Sequence, residues 1–392
     1  MRGRDVFIVD CIRSPIGVGK KNGSLHNVHP VNLLSEILKG VTVRANVDPS
    51  EVEDVICGVS SPAKEQGSNI ARLSLLKAGF PCSVPGVQVN RKCGSSQTAI
   101  HLISQAISSG DMDLGIACGV EMMSIVPLGS DASYKPSLEL KSDANILFDV
   151  GYPLIHQGLS ADIIAKKYNI SKQEMEEFAI ESHKKAYLST TNGHFNKQVL
   201  PIKIDGILIN TDQGIRKEID EDKIKRLKPA FSKDGLITAA LASQISDGSA
   251  AVLLASHTKC QQLNLNKRAR IVCRVTVGTD PITMLDGIIP ATKKIIEKSG
   301  ISLDEISVFE VNEAFASVVL CWQKTFNVPL IKINPNGGAI AHGHPLGASG
   351  CILMTKLVHE LERVNGRFGL QTMCIGQGQA VATLIENCSY KM

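Results

Sequence analysis

The sequence predicts an α/β fold of two similar halves, with a less regular segment inserted between them. Apolar runs typical of buried strands alternate with helical patterns from the N-terminus to about residue 120, and again from about residue 240 onward. Such alternation indicates βαβ units and parallel strands. A length of 392 residues also favours two or three domains. The range 121–239 is more charged and irregular, so we expect it to form a loop-rich domain that covers part of the molecule.

The first half opens with a strand-like run at 6–9, and a helical pattern follows it. Four apolar residues recur at helical spacing in that pattern: Val31, Leu34, Leu38 and Val41. Further strands are predicted at 55–59, 87–90 and 114–117, and a helix is predicted to begin near Ser96. In the inserted range, Ser171 and Glu174 fit a capping box. The helix after them would bury one apolar face: Met175, Phe178, Ala179 and Ala186.

The second half repeats the alternation of strands and helices. Strands are predicted at 250–254, 269–277, 308–311 and 330–333, with helices at 289–298 and 348–360. Two segments echo the first half, because VQVNRKCGSS at 87–96 is similar to IKINPNG at 331–337, and LGIACGVE at 114–121 to LQTMCIGQG at 370–378. We therefore predict three domains: an N-terminal domain of 1–120 with 240–268, a loop domain of 121–239, and a C-terminal domain of 269–392.

Composition excludes several classes of protein. A formal net charge of +4 is too small to predict a nucleic-acid-binding surface, although it is compatible with a small anionic ligand. No apolar run approaches the roughly 18 residues of a membrane helix, and we find no export signal. The eleven cysteines include no CxxC pair, which argues against a zinc site and against a disulfide framework. We expect a cytoplasmic protein with no metal.

Residues 334–350, NPNGGAIAHGHPLGASG, have the composition of an active-site loop. Five glycines and three alanines permit close approach of another group. His342 and His344 supply imidazole, which is suited to proton transfer near neutral pH. Small residues at 348–350 would leave the first amides of the next helix free to face a ligand. A metal site at the two histidines is the less favoured alternative, since no third ligand lies at a suitable spacing.

Two cysteines are candidate reactive groups, Cys93 as a thiolate and Cys374 as a thiol that faces a cavity. Cys93 lies between a strand and a helix, next to Arg91 and Lys92, and both a helix N-terminus and nearby cations lower the pKa of a thiol. Cys374 follows a strand and precedes glycines. The alternatives are a buried structural cysteine at 93 and a small residue in a tight turn at 374.

Polar residues follow two other predicted strands or loops. Asn312 and Glu313 begin the segment NEAFA directly after the run 308–311. The carboxamide of Asn312 would hold a water or donate to an oxyanion there, or it would only cap the next helix. Ser243 is a candidate ligand contact and Asp247 a candidate helix cap in LASQISDGSAA at 241–251.

Taken together, VNRKCGSS, NEAFA, NPNGGAIAHGHPLGASG and CIGQG resemble, in order and spacing, the four active-site loops of the thiolases. The resemblance covers essentially the whole chain and includes RSPIG at 13–17, SNIAR at 68–72, GVEMMS at 119–124, FAIESHKKA at 178–186 and KPAF at 228–231.

This resemblance implies a role for five residues. Cys93 would be the nucleophile that takes the acyl group, and His344 the base that removes its proton. Cys374 would protonate the departing acetyl-CoA enolate in cleavage and remove that proton in condensation. One oxyanion hole would pair His344 with a water held by Asn312, and the other would use the backbone amides of Cys93 and Gly376.

The resemblance also implies a layered αβαβα core of two similar domains with an inserted loop domain, assembled as a homodimer or homotetramer. Coenzyme A would be a substrate, with no cofactor and no metal, in fatty acid metabolism of the β-oxidation type. Substrate contacts are predicted at six positions: Ser243, Phe231, His156, Gln157, Phe315 and Met123. Basic residues of the loop domain, Lys223 and Arg226 among them, would meet the CoA phosphates.

Four positions depart from the usual thiolase pattern. Leu241 replaces Asn, Gln157 replaces Met, and Gln377 and Ala380 replace glycines. Since a polar amide at 157 would lie near the acyl pocket, we hypothesise that it favours a bulky or oxygenated acyl chain. Two other functions remain as alternatives. A carrier-protein-dependent condensing enzyme would be expected to have a second histidine in place of Cys374, and a catalytically silent lipid-binding or scaffold protein would be expected to lack Cys93 or His344.

Overall fold

The computed structural model describes residues 3–131 and 148–391, so residues 132–147 of the predicted loop domain lie outside the described residues. The strands are β1 (Val6–Arg13), β2 (Gly17–Val18), β3 (Asp54–Gly58), β4 (Gly86–Val89), β5 (Leu114–Met122), β6 (Ile202–Ile204), β7 (Ile207–Ile209), β8 (Ser246–Ser256), β9 (Ala269–Gly278), β10 (Ile306–Val311), β11 (Phe368–Ile375) and β12 (Gln379–Asn387). The helices are α1 (Pro30–Ala45), α2 (Ile70–Lys77), α3 (Ser95–Ser109), α4 (Gln157–Lys167), α5 (Lys172–Thr191), α6 (Glu221–Lys225), α7 (His257–Gln262), α8 (Ile288–Ser299), α9 (Ala316–Phe326), α10 (Ala339–His342) and α11 (Leu346–Arg363).

Two half-sheets with the same strand pattern form the centre of the described residues. In the first, β4, β3 and β5 are parallel, and β8 and β1 follow as antiparallel strands. In the second, β10 and β11 are parallel, and β12 and β9 follow as antiparallel strands. Ile333 makes a parallel bridge to Phe309 of β10, in the position that β4 occupies beside β3. The repeat predicted from two short sequence matches is therefore present in the fold.

The half-sheets share a central layer of two helices, α3 and α11. These helices pack on each other, and α11 contacts strands of both half-sheets. The two helices approach closely, because a Cβ added at Gly350 of α11 would overlap the backbone of Gln97 in α3. By contrast, within the described residues the half-sheets join directly through two residue pairs, between β1 and β9. Helices α1 and α2 cover the outer face of the first half and α8 and α9 that of the second, which gives the αβαβα layering.

The described part of the inserted segment packs on the outer side of the second half. Helices α4 and α5 lie against α9, and Ala161, Met175 and Ala179 share an apolar cluster with Phe309 and Trp322. The predicted capping box at the start of α5 is confirmed, since Ser171 and Glu174 exchange both of its hydrogen bonds. No helix among the described residues is both long enough and apolar enough to span a bilayer. The three domain boundaries stay a prediction.

Two local predictions are wrong. Residues 330–332 form a 3₁₀ turn after Pro329 instead of a strand, and Ile331 is 75% exposed, whereas Ile333 alone is buried and pairs with the sheet. The apolar side chains of this segment gave a strand-like pattern although two of them point to solvent. Asp247 lies in β8 and accepts a hydrogen bond from the Ser124 amide at 2.9 Å, so it fixes a loop and does not cap a helix.

Candidate active site

Three of the predicted site segments meet around Cys93. This cysteine lies between β4 and α3 and is 3% exposed. It shares an apolar cluster with Met123 directly after β5, Leu346 at the start of α11 and Ile375 at the end of β11. Each of these residues lies at the end of a strand or the start of a helix. The repeated topology therefore brings the segments of Cys93, His344 and Cys374 together.

The Cys93 thiol has hydrogen-bond donors around it but no cation. Burial raises the pKa of this thiol to about 11, while the Gly376 amide, the Gln157 side chain and the amide of Cys93 itself oppose that rise. The prediction that neighbouring cations lower this pKa is wrong. Lys92 pairs with Asp131 at 2.5 Å, and Arg91 donates to the Thr98 hydroxyl at 3.1 Å. The anionic form of Cys93 must therefore be favoured by neutral donors.

Cys374 lies next to last in β11 and is buried. Burial, followed by the neighbouring thiols of Cys93 and Cys321, raises its pKa well above the ordinary value of a cysteine. Cys374 is therefore a protonated thiol near neutral pH, positioned close enough to Cys93 for the two groups to interact electrostatically. A protonated group of this kind can act as a proton donor.

His344 is a buried, neutral imidazole with a defined tautomer. Burial lowers the pKa of His344 to about 4. The Ser349 hydroxyl donates to the Pro345 carbonyl at 2.9 Å, so it accepts from Nδ1 of His344, which lies 2.6 Å away. Nε2 consequently carries the lone pair. The Asn312 side-chain nitrogen lies 3.3 Å from Nε2, and the Asn312 Oδ1 atom is buried with no hydrogen-bond partner. Asn312 therefore faces the histidine and does not cap α9.

The second histidine of the loop belongs to a different network. Nδ1 of His342 lies 2.7 Å from Asp212, and Nε2 lies 2.9 Å from the Asn336 carbonyl. Asp212 in turn accepts two hydrogen bonds from the fully buried Arg13, at 2.7 and 3.0 Å. Since both ring nitrogens of His342 are used, it supports the loop from behind. Among the described residues, no group of three or more side chains has the arrangement of a metal site.

Two carboxylates that sequence reasoning did not assign fix the backbone of the site. Glu121 is fully buried and accepts from the amides of Ser60 and Gly347, each at 2.8 Å. Glu313 accepts from the Ser182 hydroxyl at 2.7 Å and the Ile340 amide at 3.1 Å. The prediction that the first amides of α11 face a ligand is therefore wrong, because Glu121 and the Pro345 carbonyl accept from the amides at 347–349. The one feature of the sequence that could have identified these two acids is their position at the ends of β5 and β10.

The predicted substrate contacts, called the rim below, come from several segments of the chain. His156 stacks on Phe231 with ring centroids 5.0 Å apart, and Phe231 meets Phe315 edge to face at 5.8 Å. The Ser243 amide donates to the Ala314 carbonyl at 2.9 Å, and the sulfur of Met123 accepts from the Ser246 amide at 3.4 Å. Lys223 on α6 and Arg226 directly after it are exposed, and Ile224 between them is buried. In the part of the chain that the structure describes, no hydrogen bond or ion pair joins these two cations to the residues around Cys93.

The four departures from the thiolase pattern have different surroundings. Leu241 is fully buried in the apolar cluster of the second half. Gln377 has φ of 67°, a left-handed conformation that non-glycine residues rarely adopt. Ala380 lies directly opposite Cys374 in the β11–β12 ladder. The side chain of Gln157 interacts with Cys93 and opposes the rise in the pKa of its thiol.

We expect Asp212→Ala to lower the free energy of unfolding by about 3–5 kcal/mol at pH 7, because it leaves Arg13 buried without its partner. Burial alone would raise the pKa of Asp212, but Arg13 and His342 together lower it well below its usual range. Its stabilisation is therefore present above the pKa of the unfolded carboxyl group and is lost as the pH falls through the folded pKa.

Urea unfolding of the wild type and the variant measures this difference. Asp222→Ala, at an exposed position on α6, is the control and should change stability by less than about 0.5 kcal/mol. Equal losses in the two variants would contradict the role of Asp212.

Known proteins and family models match this chain over nearly its whole length. The model of the thiolase N-terminal domain matches residues 6–258, and that of the thiolase C-terminal domain matches residues 265–387. The chain is 43% identical to the steroid 3-ketoacyl-CoA thiolase FadA6 of Mycobacterium tuberculosis, over 97% of this chain and 94% of that protein. It is 40% identical to a 3-ketoacyl-CoA thiolase of Idiomarina loihiensis, over 98% of this chain and 99% of that protein. The crystal structure of the Bacillus anthracis acetyl-CoA acetyltransferase is similar with a TM-score of 0.89 at 35% identity, covering 98% and 99% of the two chains.

Proposed function

The chain belongs to the thiolase family and is an acyltransferase, and we propose that Cys93, His344, Cys374, Asn312 and Gly376 carry out its reaction. That reaction is the CoA-dependent cleavage of a 3-ketoacyl-CoA to acetyl-CoA and a shortened acyl-CoA, with its reversal by condensation. The observation that carries the proposal is that the segments of Cys93, His344 and Cys374 meet in one buried cluster through Cys93, Leu346 and Ile375. Burial keeps the two thiols protonated and the imidazole neutral near neutral pH. A nucleophile, a base and an acid are thereby collected in one buried place.

Acyl transfer begins when Cys93 loses its proton to Nε2 of His344. The low pKa of His344 keeps that nitrogen unprotonated near neutral pH, so it is able to accept the proton. The sulfur then attacks the 3-keto carbon of the substrate. As the bond between C2 and C3 breaks, its electron pair forms the enolate of acetyl-CoA, and the acyl group stays on Cys93 as a thioester.

Cys374 completes the cleavage by donating its thiol proton to C2 of the enolate. Its raised pKa supports this role, because the proton is retained until a strongly basic carbon is generated beside it. Coenzyme A then gives its thiol proton to the Cys374 thiolate and attacks the acyl thioester. The shortened acyl-CoA leaves, and His344 returns its proton to the sulfur of Cys93. In the condensation direction the same thiolate removes the proton from acetyl-CoA.

Two sets of donors stabilise the negative oxygens that form in these steps. The amides of Cys93 and Gly376, which already face the thiol, would donate to the oxygen of the acyl group. Asn312 would hold a water through its unpartnered Oδ1, and that water together with His344 would donate to the second oxygen. Such preorganised donors each contribute about 10²- to 10³-fold in rate.

Coenzyme A acts here as a substrate, and we propose no metal or cofactor. Phe231, Phe315, His156, Ser243 and Met123 would line its path to Cys93. Lys223 and Arg226 would meet its phosphates near the surface, as exposed cations do for anions. All eleven cysteines are free, which a reducing compartment such as the cytoplasm would preserve. The reaction is of the type used in fatty acid β-oxidation.

The function is tested by mixing the purified protein with acetoacetyl-CoA and coenzyme A and following loss of the ketoacyl thioester. A series of longer and steroid-derived 3-ketoacyl-CoAs defines the acyl range. Turnover with at least one member of the series is expected. Binding without turnover would favour the silent lipid-binding or scaffold protein. Condensation that needs a malonyl group on a carrier protein would favour the carrier-protein-dependent enzyme.

The exposed edge of the first half-sheet is the observation that favours a homodimer. Strand β4 is the last strand of its half-sheet, and Val87 in it is 43% exposed. Nearby exposed apolar residues on α2 and α3 extend this surface: Leu73, Leu76 and Leu102. An exposed apolar edge strand is a template for pairing with another chain, so we propose that a second copy covers it.

We expect a solution mass of at least twice the 42.1 kDa of the chain, and a shift toward monomer in Val87→Lys. Light scattering after gel filtration measures both masses. Val43→Lys, at an exposed position on α1, should leave the mass unchanged. A monomeric wild type would overturn the proposed assembly.

A further inference from the structure

Gln157 occupies a fixed position at the mouth of the site. It is the first residue of α4, and His156 before it caps the helix by accepting from the Gly158 amide at 3.0 Å. Asp162 of the same helix accepts from the amides of Leu236 and Ile237 at 2.7 and 3.0 Å. The helix is therefore anchored at its start and near its middle, so the side chain of Gln157 begins from a well-defined point.

The amide group of Gln157 reaches the atoms that react. Its Nε2 atom would lie 2.8 Å from a Cβ placed on Gly376, and its interaction with the Cys93 thiol opposes the rise in the pKa of that thiol. Three donors thus converge beside the sulfur: the backbone amides of Cys93 and Gly376 and the side-chain amide of Gln157. A larger residue at 376 would push this side chain away, so glycine at 376 and glutamine at 157 depend on each other.

The other groups near the sulfur make these donors important. Burial and, to a smaller degree, the carboxylate of Glu121 both disfavour a negative charge at Cys93. Arg91 and Lys92 are the basic residues next to Cys93 in sequence. Among the described residues, both bond to other partners. Hydrogen bonds are therefore the interactions that remain to favour the thiolate over the thiol.

We propose that Gln157 is a catalytic residue whose Nε2 amide is a third donor at Cys93, first to the thiolate and then to the oxygen of the acyl group. This inference rests on the proposed function, because it assigns Gln157 to the acyl-transfer step. When the Cys93 proton moves to Nε2 of His344, the new negative charge on sulfur accepts from Gln157. After attack the charge is on the former keto oxygen, and the amide turns to that oxygen while the Cys93 and Gly376 amides keep their positions.

A methionine at 157, the residue usual in thiolases, has a similar size but no N–H to donate. The substitution Gln157→Met thus removes the hydrogen-bond donor and keeps the size of the side chain. Gln157→Glu keeps the shape and places a carboxylate beside the sulfur, where like charges disfavour each other. Gln173→Met, on the exposed face of α5, is a matched control for the same substitution away from the site.

The first measurement is the pH dependence of Cys93 alkylation by iodoacetamide, which reports the thiol pKa without any turnover. We expect Gln157→Met to raise this pKa by about one pH unit, because a hydrogen bond to a charged group contributes about that much. Gln157→Glu should raise it further, and Gln173→Met should leave it unchanged. A purely steric role predicts the same pKa for Gln157→Met and the wild type, and that result would overturn the proposal.

The second measurement is kcat/KM with acetoacetyl-CoA and coenzyme A. Loss of the donor is expected to lower it by about 10- to 100-fold. Unchanged kcat/KM in Gln157→Met would also overturn the proposal. A wild type that is inactive with acetoacetyl-CoA and with every longer 3-ketoacyl-CoA of the series would instead refute the proposed function, and the alkylation profiles would still decide whether Gln157 donates to Cys93.

Discussion

Cys93→Ala is expected to abolish cleavage of acetoacetyl-CoA, with kcat falling by about 10⁵-fold or more. The substitution removes the sulfur that receives the acyl group, and the remaining residues around it cannot form a covalent intermediate. Cys93 is buried against Met123, Leu346 and Ile375, and alanine retains an apolar side chain at this position. We therefore expect the variant to fold. The assay is the loss of the ketoacyl thioester, with circular dichroism to verify folding.

Cys82→Ala provides the control for this first experiment, because Cys82 is a free and exposed cysteine. It should retain the activity of the wild type. Activity of Cys93→Ala within about 10-fold of the wild type would show that another group carries the acyl chain, and the assignment of the nucleophile would then be wrong.

Cys374→Ser is expected to separate the two chemical steps. A serine hydroxyl is a much weaker acid than a thiol, so protonation of the enolate in cleavage and removal of the acetyl-CoA proton in condensation should fall by about 10²- to 10⁴-fold. Transfer of an acyl group from a simple acyl-CoA to Cys93 requires neither step and should survive. Mass spectrometry of the protein after mixing with acetyl-CoA measures the acyl adduct, and the thiolysis assay measures turnover.

A matched substitution tests whether the effect of Cys374→Ser is specific to position 374 or follows from any cysteine-to-serine change at a buried position. Cys321→Ser alters another buried cysteine of the second half, whose burial likewise raises its pKa. It should reduce acyl transfer and cleavage to the same degree or leave both intact. If Cys374→Ser lowers the formation of the acyl adduct as much as it lowers cleavage, the division of work between the two cysteines is refuted.

The parts of the site that lie on strand ends could be predicted from sequence. Cys93, Asn312, His344 and Cys374 each follow an apolar run in a segment of small or polar residues, and local composition is enough to identify such segments. Their convergence follows from the repeat, which was visible in two short matches. The strand predicted at 330–333 failed because local pattern does not show which apolar side chains the rest of the fold will cover.

Partners that are distant in sequence could not be predicted. Arg13 and Asp212 are 199 positions apart, and Glu121 and Gly347 are 226 positions apart. Nothing in either local sequence specifies the other member of the pair. The pKa of Cys93 was predicted in the wrong direction for the same reason, since burial by Met123, Leu346 and Ile375 comes from three separate segments. The sequence also marked Gln157 as unusual without indicating that it reaches the sulfur.

The close packing of α3 on α11 has a consequence for how this enzyme can change its substrate. Cys93 belongs to one half and His344 and Cys374 to the other, and the halves meet mainly through these two helices instead of through the two residue pairs of the sheet. A mutation that enlarges this helix interface therefore alters catalytic alignment from a distance. The inserted segment contributes His156, Gln157 and Phe231 to the rim from outside that interface. New acyl specificities can accordingly evolve there while the spacing of the reacting groups is preserved.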